Sequence, residues 1–586
     1  MSGAHGARSD APVLAGAAVV LAAPVGVVWL AGMLAGLLAT GRPLQVGMAD
    51  AARVLTRLPS RLARPELAWP ANVRSGLPGP LALQISLALS ALVVLALLAT
   101  ALTMLAWVGR RGGHGRAASF ASRGELAELR VSRPLVGRLT LGVHHRALIA
   151  AEERASVLLV GPSQAGKTRG LVVPALLEWA GPLVSTSIKS DVVHYTHVAR
   201  SRRGEVRVFD PTGSCGLPSA PWSPIVASGS WEGARRTAAR LLGVGEPGIT
   251  RSADEAFWRP AAARFLAPLL LAAAHGDLTM REVLSWIATT NEAEPAELLE
   301  SCPAPGAQPA LEALHSVWDA DPRFRSSLLQ TLATALDAWQ EPQIAAATVG
   351  DSQISARWLL DGANTLYLIA PADDQRRLRG LFVALLADIT AGAFADSART
   401  GKPIDPALLL ALDEVANIAP LPNLDELAST GPGQGVQLLS VFQDISQASD
   451  RWGRERAETI FANHRARVFT SGIGDRATLE YLSHTLGEEE IARVATHHQS
   501  ALTPGPGSRT ISSDFRALAA PNRVRQQDID TALLIYGRLA PAWLRLRPWY
   551  RDTRLSALAA GQPTPPRLPR HLPRRISAFL TLRSAR

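Results

Sequence analysis

Two short stretches of this chain combine residue types in the way that phosphate chemistry requires. Residues 156–168 read SVLLVGPSQAGKT, and the last eight, Gly161-Pro162-Ser163-Gln164-Ala165-Gly166-Lys167-Thr168, match G-x-x-x-x-G-K-[ST] in full. Gly161 and Gly166 allow the backbone to curl so that N–H groups converge on phosphate oxygens at a helix N-terminus. Lys167 offers a point charge to the β- and γ-phosphates, and the Thr168 hydroxyl fits a magnesium shell. The second stretch, residues 407–414, is an apolar run ending in Asp413-Glu414. Asp413 would hold magnesium, and Glu414 would orient or deprotonate the attacking water. An apolar strand ending in two acids is common by itself; behind a complete phosphate loop it is far more specific. These residues predict a site for ATP and Mg2+ with Lys167, Glu414 and Gln443 as its catalytic set. Gln443 directly follows the run VQLLSVF, where a polar amide at a strand's C-terminal end can sense the γ-phosphate. A surface glutamine opening a helix is the plainer alternative.

Elements must hold these residues at one edge of a sheet. The apolar run before the phosphate loop reads as a buried strand, and GLVVPALLEWA after it as a helix. Residues 205–210 (EVRVFD), 365–370 (TLYLIA), 407–412, 436–442 and 467–470 read as further strands with parallel, doubly buried character. The expected fold class is α/β, with a doubly wound sheet around the phosphate loop.

At 586 residues the chain should hold at least two domains, and hydrophobic residues at 47% against 19% charged exclude wholesale disorder. Cys215 and Cys302 are the only cysteines, which removes zinc fingers, cysteine-ligated clusters and a disulfide scaffold. The net charge of +10 invites a nucleic-acid reading, but its distribution weakens it. The tail 551–586 holds eight arginines against Asp552 alone, and residues 42–74 hold six against Asp50 and Glu66. The long central body is left mildly acidic, so any DNA contact there must be a local patch or a lined channel.

No charge occurs from Ala11 to Gly41 or from Ser75 to Gly109. Each stretch exceeds the ~20 apolar residues that cross a bilayer core. Two transmembrane helices are expected, with both termini on the side that holds ATP and residues 42–74 outside. The six arginines of that loop oppose the positive-inside rule, while Arg110, Arg111, Arg116 and Arg123 after the second span favour it.

The order of these segments resembles the VirD4/TraG-type coupling proteins of type IV secretion and conjugation, which are related to the FtsK/HerA translocases. The resemblance rests on GPSQAGKT, STSIKSDV, VFDPTG with WSPI, FWRPAAARFLAPLLLAAA, LYLIAPADDQRRLRGLFVALLADI, LLLALDEVANIAPLPNL, VFQDISQ and LLIYGRLAPAWLRLRPWY. It implies a RecA-like P-loop motor with an inserted all-α domain, preceded by two transmembrane helices. The implied organisation is an anchor over 1–110, the first part of the motor over 111–230, the insertion over 231–345, broken near 303–309, and the second part over 346–550. A flexible basic Pro/Arg-rich tail would follow over 551–586.

Function is an expectation of the same kind. The chain would be an inner-membrane, multi-pass ATPase with a cytoplasmic motor, a homo-hexamer that moves DNA or a relaxase–DNA complex into a type IV secretion channel. A coupling receptor for protein export without DNA, an FtsK-like double-stranded DNA translocase and a scaffold with a decayed ATPase are the alternatives. An intact set of Lys167, Thr168, Asp413 and Glu414 speaks against the last. Lys189 and Asp191 match a lysine–acid pair of the family, although a plain surface pair fits equally. The family usually places a trans-acting arginine just before the glutamine strand, in an R-x-x-G segment. Here residues 430–436 read TGPGQGV, without arginine. Arg465 and Arg467 are candidate replacements, with strand-flanking surface charges as the plainer reading.

Overall fold

The computed structural model describes residues 11–61, 63–111, 118–244, 253–351, 353–496 and 509–563. The chain divides into two compact units, Met1–Arg116 and Ala117–Arg586.

In the first unit, helices Ala11–Thr40 and Pro80–Arg111 carry the two uncharged stretches. Both are long and apolar enough to cross a membrane, over Ala23–Thr40 and Pro80–Ala101. Pro24 sits inside the first helix, as a membrane helix tolerates. The segment between them is folded rather than a bare loop. A helix Met48–Arg57 and three short 3-10 turns surround Trp69, which is fully buried with Val28, Ala35, Val54 and Leu83. The Trp29 indole donates to Val46 O at 3.0 Å, and Arg74 Nε donates to Trp69 O at 2.8 Å, closing the cap over the helix ends.

The second unit is built on one twelve-stranded sheet. In chain order its strands are β1 (Arg130–Val131), β2 (Thr140–His144), β3 (Ala147–Ala150), β4 (Val157–Val160), β5 (Leu183–Ser187), β6 (Val206–Phe209) and β7 (Thr365–Ile369). Then come β8 (Leu408–Leu412), β9 (Val436–Phe442) and β10 (Ala466–Thr470), a separate hairpin β11 (Glu488–Thr496) and β12 (Arg509–Ala517), and finally β13 (Thr531–Tyr536) and β14 (Ala542–Arg545). The spatial order is β1-β3-β2-β14-β13-β10-β4-β9-β8-β5-β7-β6. From β10 to β6 every pairing is parallel. β4, β5, β7, β8 and β9 are buried at every residue; β4, β7, β8 and β9 are mainly apolar runs for that reason, whereas β5, LVSTS, buries three polar residues and does not read as an apolar strand. From β13 to β1 the pairing is antiparallel, an extension that the sequence pattern does not announce. The expected strands are present, β6 and β8 starting one residue later, β6 and β7 ending one residue earlier and β10 starting one residue earlier than the pattern suggests.

Between β6 and β7 the chain is helical. Helices Trp231–Leu241, Ala253–His275, Met280–Thr289, Ala293–Glu300, Ala307–Trp318 and Pro322–Ala335 lead through shorter turns to Ala356–Leu360. The helical stretch thus runs past residue 345, because Ser355 caps one further helix by accepting from Trp358 N before β7 begins. The expected break falls at 301–306, where Gly306 takes a left-handed φ; Pro309 lies in the first turn of the next helix, where proline fits. A Thr279–Glu282 capping box starts one helix and the Asp321 carboxylate caps another. Phe265 against Trp318, centroids 5.3 Å apart, centres the packing.

A third helix, Gln375–Thr400, also has the length and hydropathy of a span. Its Leu378, Phe382, Leu385, Leu386 and Ile389 are fully buried, and Phe382 packs edge-on against Phe209 of β6. It is a core helix of the sheet. The tail is also shorter than expected at its start: helix Thr553–Ala559 docks with Leu555 buried against Val173, Leu177 and Ala199. Residues 564–586, most of the expected flexible tail, lie outside the described residues.

Candidate functional site

The phosphate loop leaves the C-terminal end of β4 and runs into a π-helical turn, Thr168–Val172, and a helix, Val173–Glu178. Two glycines are obligatory here for different reasons. A Cβ on Gly161 would lie 1.8 Å from Thr470 Oγ1 of β10, and Gly166 takes φ +86°. Gly161 N donates to Phe442 O at 3.2 Å, tying the loop to the end of β9. Ala165 is buried beneath the loop, its N–H donating to Pro162 O at 3.4 Å.

Lys167 is 6% exposed and donates to Gly161 O and, at 3.0 Å, to Pro162 O. Burial pushes its ammonium below the ordinary lysine value, while the charges of Asp413, Glu414 and Asp444 pull it back up. Thr168 Oγ1 donates to Asp413 Oδ2 at 3.1 Å, so the loop and the end of β8 meet directly. Thr186 of β5 donates to the Asp413 carbonyl at 2.9 Å from the other side. Burial pushes the Asp413 carboxyl up to about 6; the Thr168 hydrogen bond opposes the shift, Glu414 adds to it, and Lys167 opposes it.

Glu414 holds a left-handed backbone, φ +54° and ψ 43°, unusual for a residue with a Cβ and costing about 1 kcal/mol. That conformation turns the chain sharply from β8 into helix Val415–Ile418. Its carboxylate then accepts from Asn417 Nδ2 at 2.8 Å and from Gln443 Nε2 at 3.2 Å. β9 lies between β4 and β8 in the sheet, which is what brings Gln443 within reach of Glu414. Gln443 is therefore a partner of the acidic pair, and its backbone N–H is held by Gln447 Oε1 at 3.1 Å.

A cavity of about 510 Å³ opens over this edge. Pro162, Ser163, Gln164, Gly166, Lys167, Thr168, Asp413 and Glu414 line it, so nearly every residue read from the sequence as site-forming faces one space. Lys189 and Asp191 line it too, with the Asp191 carboxylate accepting from Val192 N. The sequence reading missed Arg169, Tyr195, Trp549 and Tyr550, which complete the wall. The last two belong to the late family segment LLIYGRLAPAWLRLRPWY, but nothing in its local pattern places it beside residue 169.

Thr168 and Asp413 present only oxygen donors, which suits a hard cation such as magnesium. The upward push on the Asp413 carboxyl is a cost that a cation would relieve. Among the described residues no cluster of three or more His, Cys, Asp or Glu could hold a metal alone, so such an ion would lean on phosphate oxygens and water.

Arg465 and Arg467 do not reach this edge. Ala466 pairs with Val157, the first residue of β4, so both arginines flank the opposite end of the strands. Arg465 is paired with Glu152 at 2.6 Å, and Arg467 donates to the Tyr481 hydroxyl at 2.6 Å. Residues 424–434 form a helix that ends at Gly435 in the left-handed region, directly before β9.

Known proteins place this geometry in context. A VirD4 protein of Rhizobium radiobacter is 24% identical over 470 residues, 77% of this chain and 66% of its own length. A conjugal transfer protein TraG of Escherichia coli is 25% identical over 447 residues, 69% of this chain and 68% of its own. This chain thus spans about two thirds of the length of its curated relatives. Among solved structures, the bacterial conjugative coupling protein TrwBdeltaN70 superposes with a TM-score of 0.56 at 20% identity, covering 74% of this chain and 93% of that one. The plasmid coupling protein TrwB in complex with ADP and Mg2+ gives 0.55 at 20% identity over 74% of this chain and 93% of that one. These likenesses establish the RecA-like motor fold. The family model described as type IV secretory system conjugative DNA transfer matches residues 116–570, and the chain belongs to that family.

Proposed function

We propose that this protein is a membrane-anchored ATPase that couples ATP hydrolysis to transfer of DNA, as a relaxase-bound single strand, into a type IV secretion channel. The observation that carries the reading is the convergence of Thr168, Asp413, Glu414 and Gln443 at the mouth of the phosphate loop, in a chain of the conjugative DNA transfer family. The complexes of TrwB with ADP and Mg2+ and with an ATP analogue support nucleotide binding on the same fold.

The backbone N–H groups of 161–168 would cradle the phosphates, and Lys167 would exchange its two carbonyl acceptors for phosphate oxygens. Thr168 and Asp413 would hold magnesium, which when bound neutralises charge on the phosphates. Glu414, fixed by Asn417, would orient the attacking water and accept its proton. Gln443 links that carboxylate to β9, so presence or loss of the γ-phosphate can move the strand end and helix Ile445–Trp452 behind it. The two N-terminal helices would anchor the chain in the inner membrane, with the motor in the cytoplasm and the Trp69 cap outside. A ring of six subunits is the assembly that this family membership favours. The domains would be an anchor over 1–110, a motor on either side of the helical insertion, and the basic tail; the division of the chain into units at Arg116 supports the first boundary.

ATP turnover by the full-length protein in detergent tests this. Single-stranded DNA should raise it several-fold. Turnover indifferent to DNA would favour a pump for protein alone, and no turnover with or without DNA would remove the ATPase reading.

A further inference from the structure

We infer that Tyr550, backed by Trp549 and Tyr195, is the platform on which the base of the bound nucleotide stacks; this rests on the nucleotide reading of the same cavity. A nucleotide whose phosphates occupy 161–168 must extend its sugar and base beyond the α-phosphate, past Thr168 and Arg169. The segment met there is the one after β14. Arg547 N donates to Gly170 O at 3.2 Å and Trp549 N to Arg169 O at 3.1 Å, so it lies alongside the first turn after the phosphate loop.

Two rings stand on it and a third packs against them. Tyr195, from helix Asp191–Ser201, packs on Trp549 with centroids 4.6 Å apart, and Trp549 meets Tyr550 edge-on at 5.9 Å. All three line the cavity with Lys167 and Thr168. Trp549 is partly buried against Leu555, which fixes it, while Tyr550 remains 46% exposed despite its size. An aromatic ring left in water beside a phosphate site is a surface that a planar ligand can cover.

An ion-pair chain holds the ring in register with the loop. Asp530, itself buried, pairs with Arg169 Nη2 at 2.8 Å and with Arg551 Nη1 at 3.1 Å. The Arg551 guanidinium in turn sits 5.7 Å from the centre of the Tyr550 ring. The residue after Thr168 and the residue after Tyr550 are thus clamped to one carboxylate. Tyr550 would touch the base, and Asp530 is a positioning residue.

The test is calorimetric binding of Mg·ADP and of Mg·tripolyphosphate, which has no base, to full-length protein in detergent. Tyr550→Ala should weaken ADP by about 5- to 100-fold, the range that loss of one base–aromatic stack produces, and leave tripolyphosphate unchanged. Tyr550→Phe should bind ADP as the parent does, and Asp530→Asn should weaken ADP in the same selective way but by less. Unchanged ADP affinity in Tyr550→Ala would overturn the inference, as would equal losses for ADP and tripolyphosphate. Failure of the parental protein to bind either ligand would overturn the nucleotide reading on which it stands.

Discussion

Two buried cations sit at opposite edges of the same parallel sheet, and they are solvated in different ways. Arg200, fully buried, lies at the N-terminal edge. It donates to Thr365 Oγ1 at 2.8 Å, to Trp179 O, to Gly181 O at 2.8 Å and to Ala363 O at 3.0 Å. Burial pushes its guanidinium down to about 10, yet every contact is a neutral acceptor supplied by a chain turn before a strand. Lys167, at the C-terminal edge, has two loop carbonyls and the nearby charges of Asp413 and Glu414. The first cation is fully engaged and closes a set of loops. The second has a proton to spare and faces a cavity, so its position is useful only when an anion arrives. Both bear a desolvation cost; what separates structure from function is whether the acceptors are complete.

The contrast yields tests in descending size. Arg200→Leu strands the Gly181 and Ala363 carbonyls and the Thr365 hydroxyl, while Trp179 O keeps its bond from Arg203. At ~1–3 kcal/mol for each unsatisfied group it should cost more than any other change proposed, lowering the melting temperature sharply. Lys167→Ala should leave the melting temperature near the parental value, since a poorly solvated cation is removed, while ATP turnover falls by about 10³-fold. A stable Arg200→Leu protein or an unstable Lys167→Ala protein would reverse the comparison. Glu414→Gln should retain nucleotide binding and lose about 10²–10³-fold in turnover, measured under saturating ATP.

His464 offers a pH-dependent version of the same contrast. Its ring is fully buried between Ile460 O and Ser440 Oγ, and burial pushes it down to about 4. The unfolded chain takes up a proton near the ordinary value of about 6.5 and the folded chain does not. Its contribution is therefore intact above about 6.5 and is lost as pH falls toward 4, amounting to about 3 kcal/mol across that window. Replacement by Gln should flatten the parental fall in stability over this range in denaturant titrations. The smallest effect expected is for Gln443→Ala, about 10-fold in turnover, because Asn417 still holds Glu414.

Much of the fold and the site is legible in order along the chain. The phosphate loop, the Asp413-Glu414 pair and most of the parallel strands are local patterns, since a strand covered on both faces usually reads as an apolar run and a loop that wraps phosphate must place glycine where φ is positive; β5, with Ser185, Thr186 and Ser187 buried, escapes that pattern. The two uncharged stretches are legible for the same reason: length and absence of charge are properties of a segment alone. The antiparallel extension is not, because β2, β3, β13 and β14 are short and β2 finds β14 across some 400 residues.

Arg465 and Arg467 show where local reading stops. Lying beside a strand puts a charge near one of two edges, and only the register with Val157 decides that theirs is the edge away from the phosphate loop. Sequence alone determined which residues can carry the chemistry, because residue type and near-neighbour spacing set hydrogen-bonding and charge. The tertiary structure decided which of them meet. Strand order set Gln443 against Glu414, and the return of the chain after β14 set Trp549 and Tyr550 beside Arg169, the latter a pairing that depends on packing between segments hundreds of residues apart.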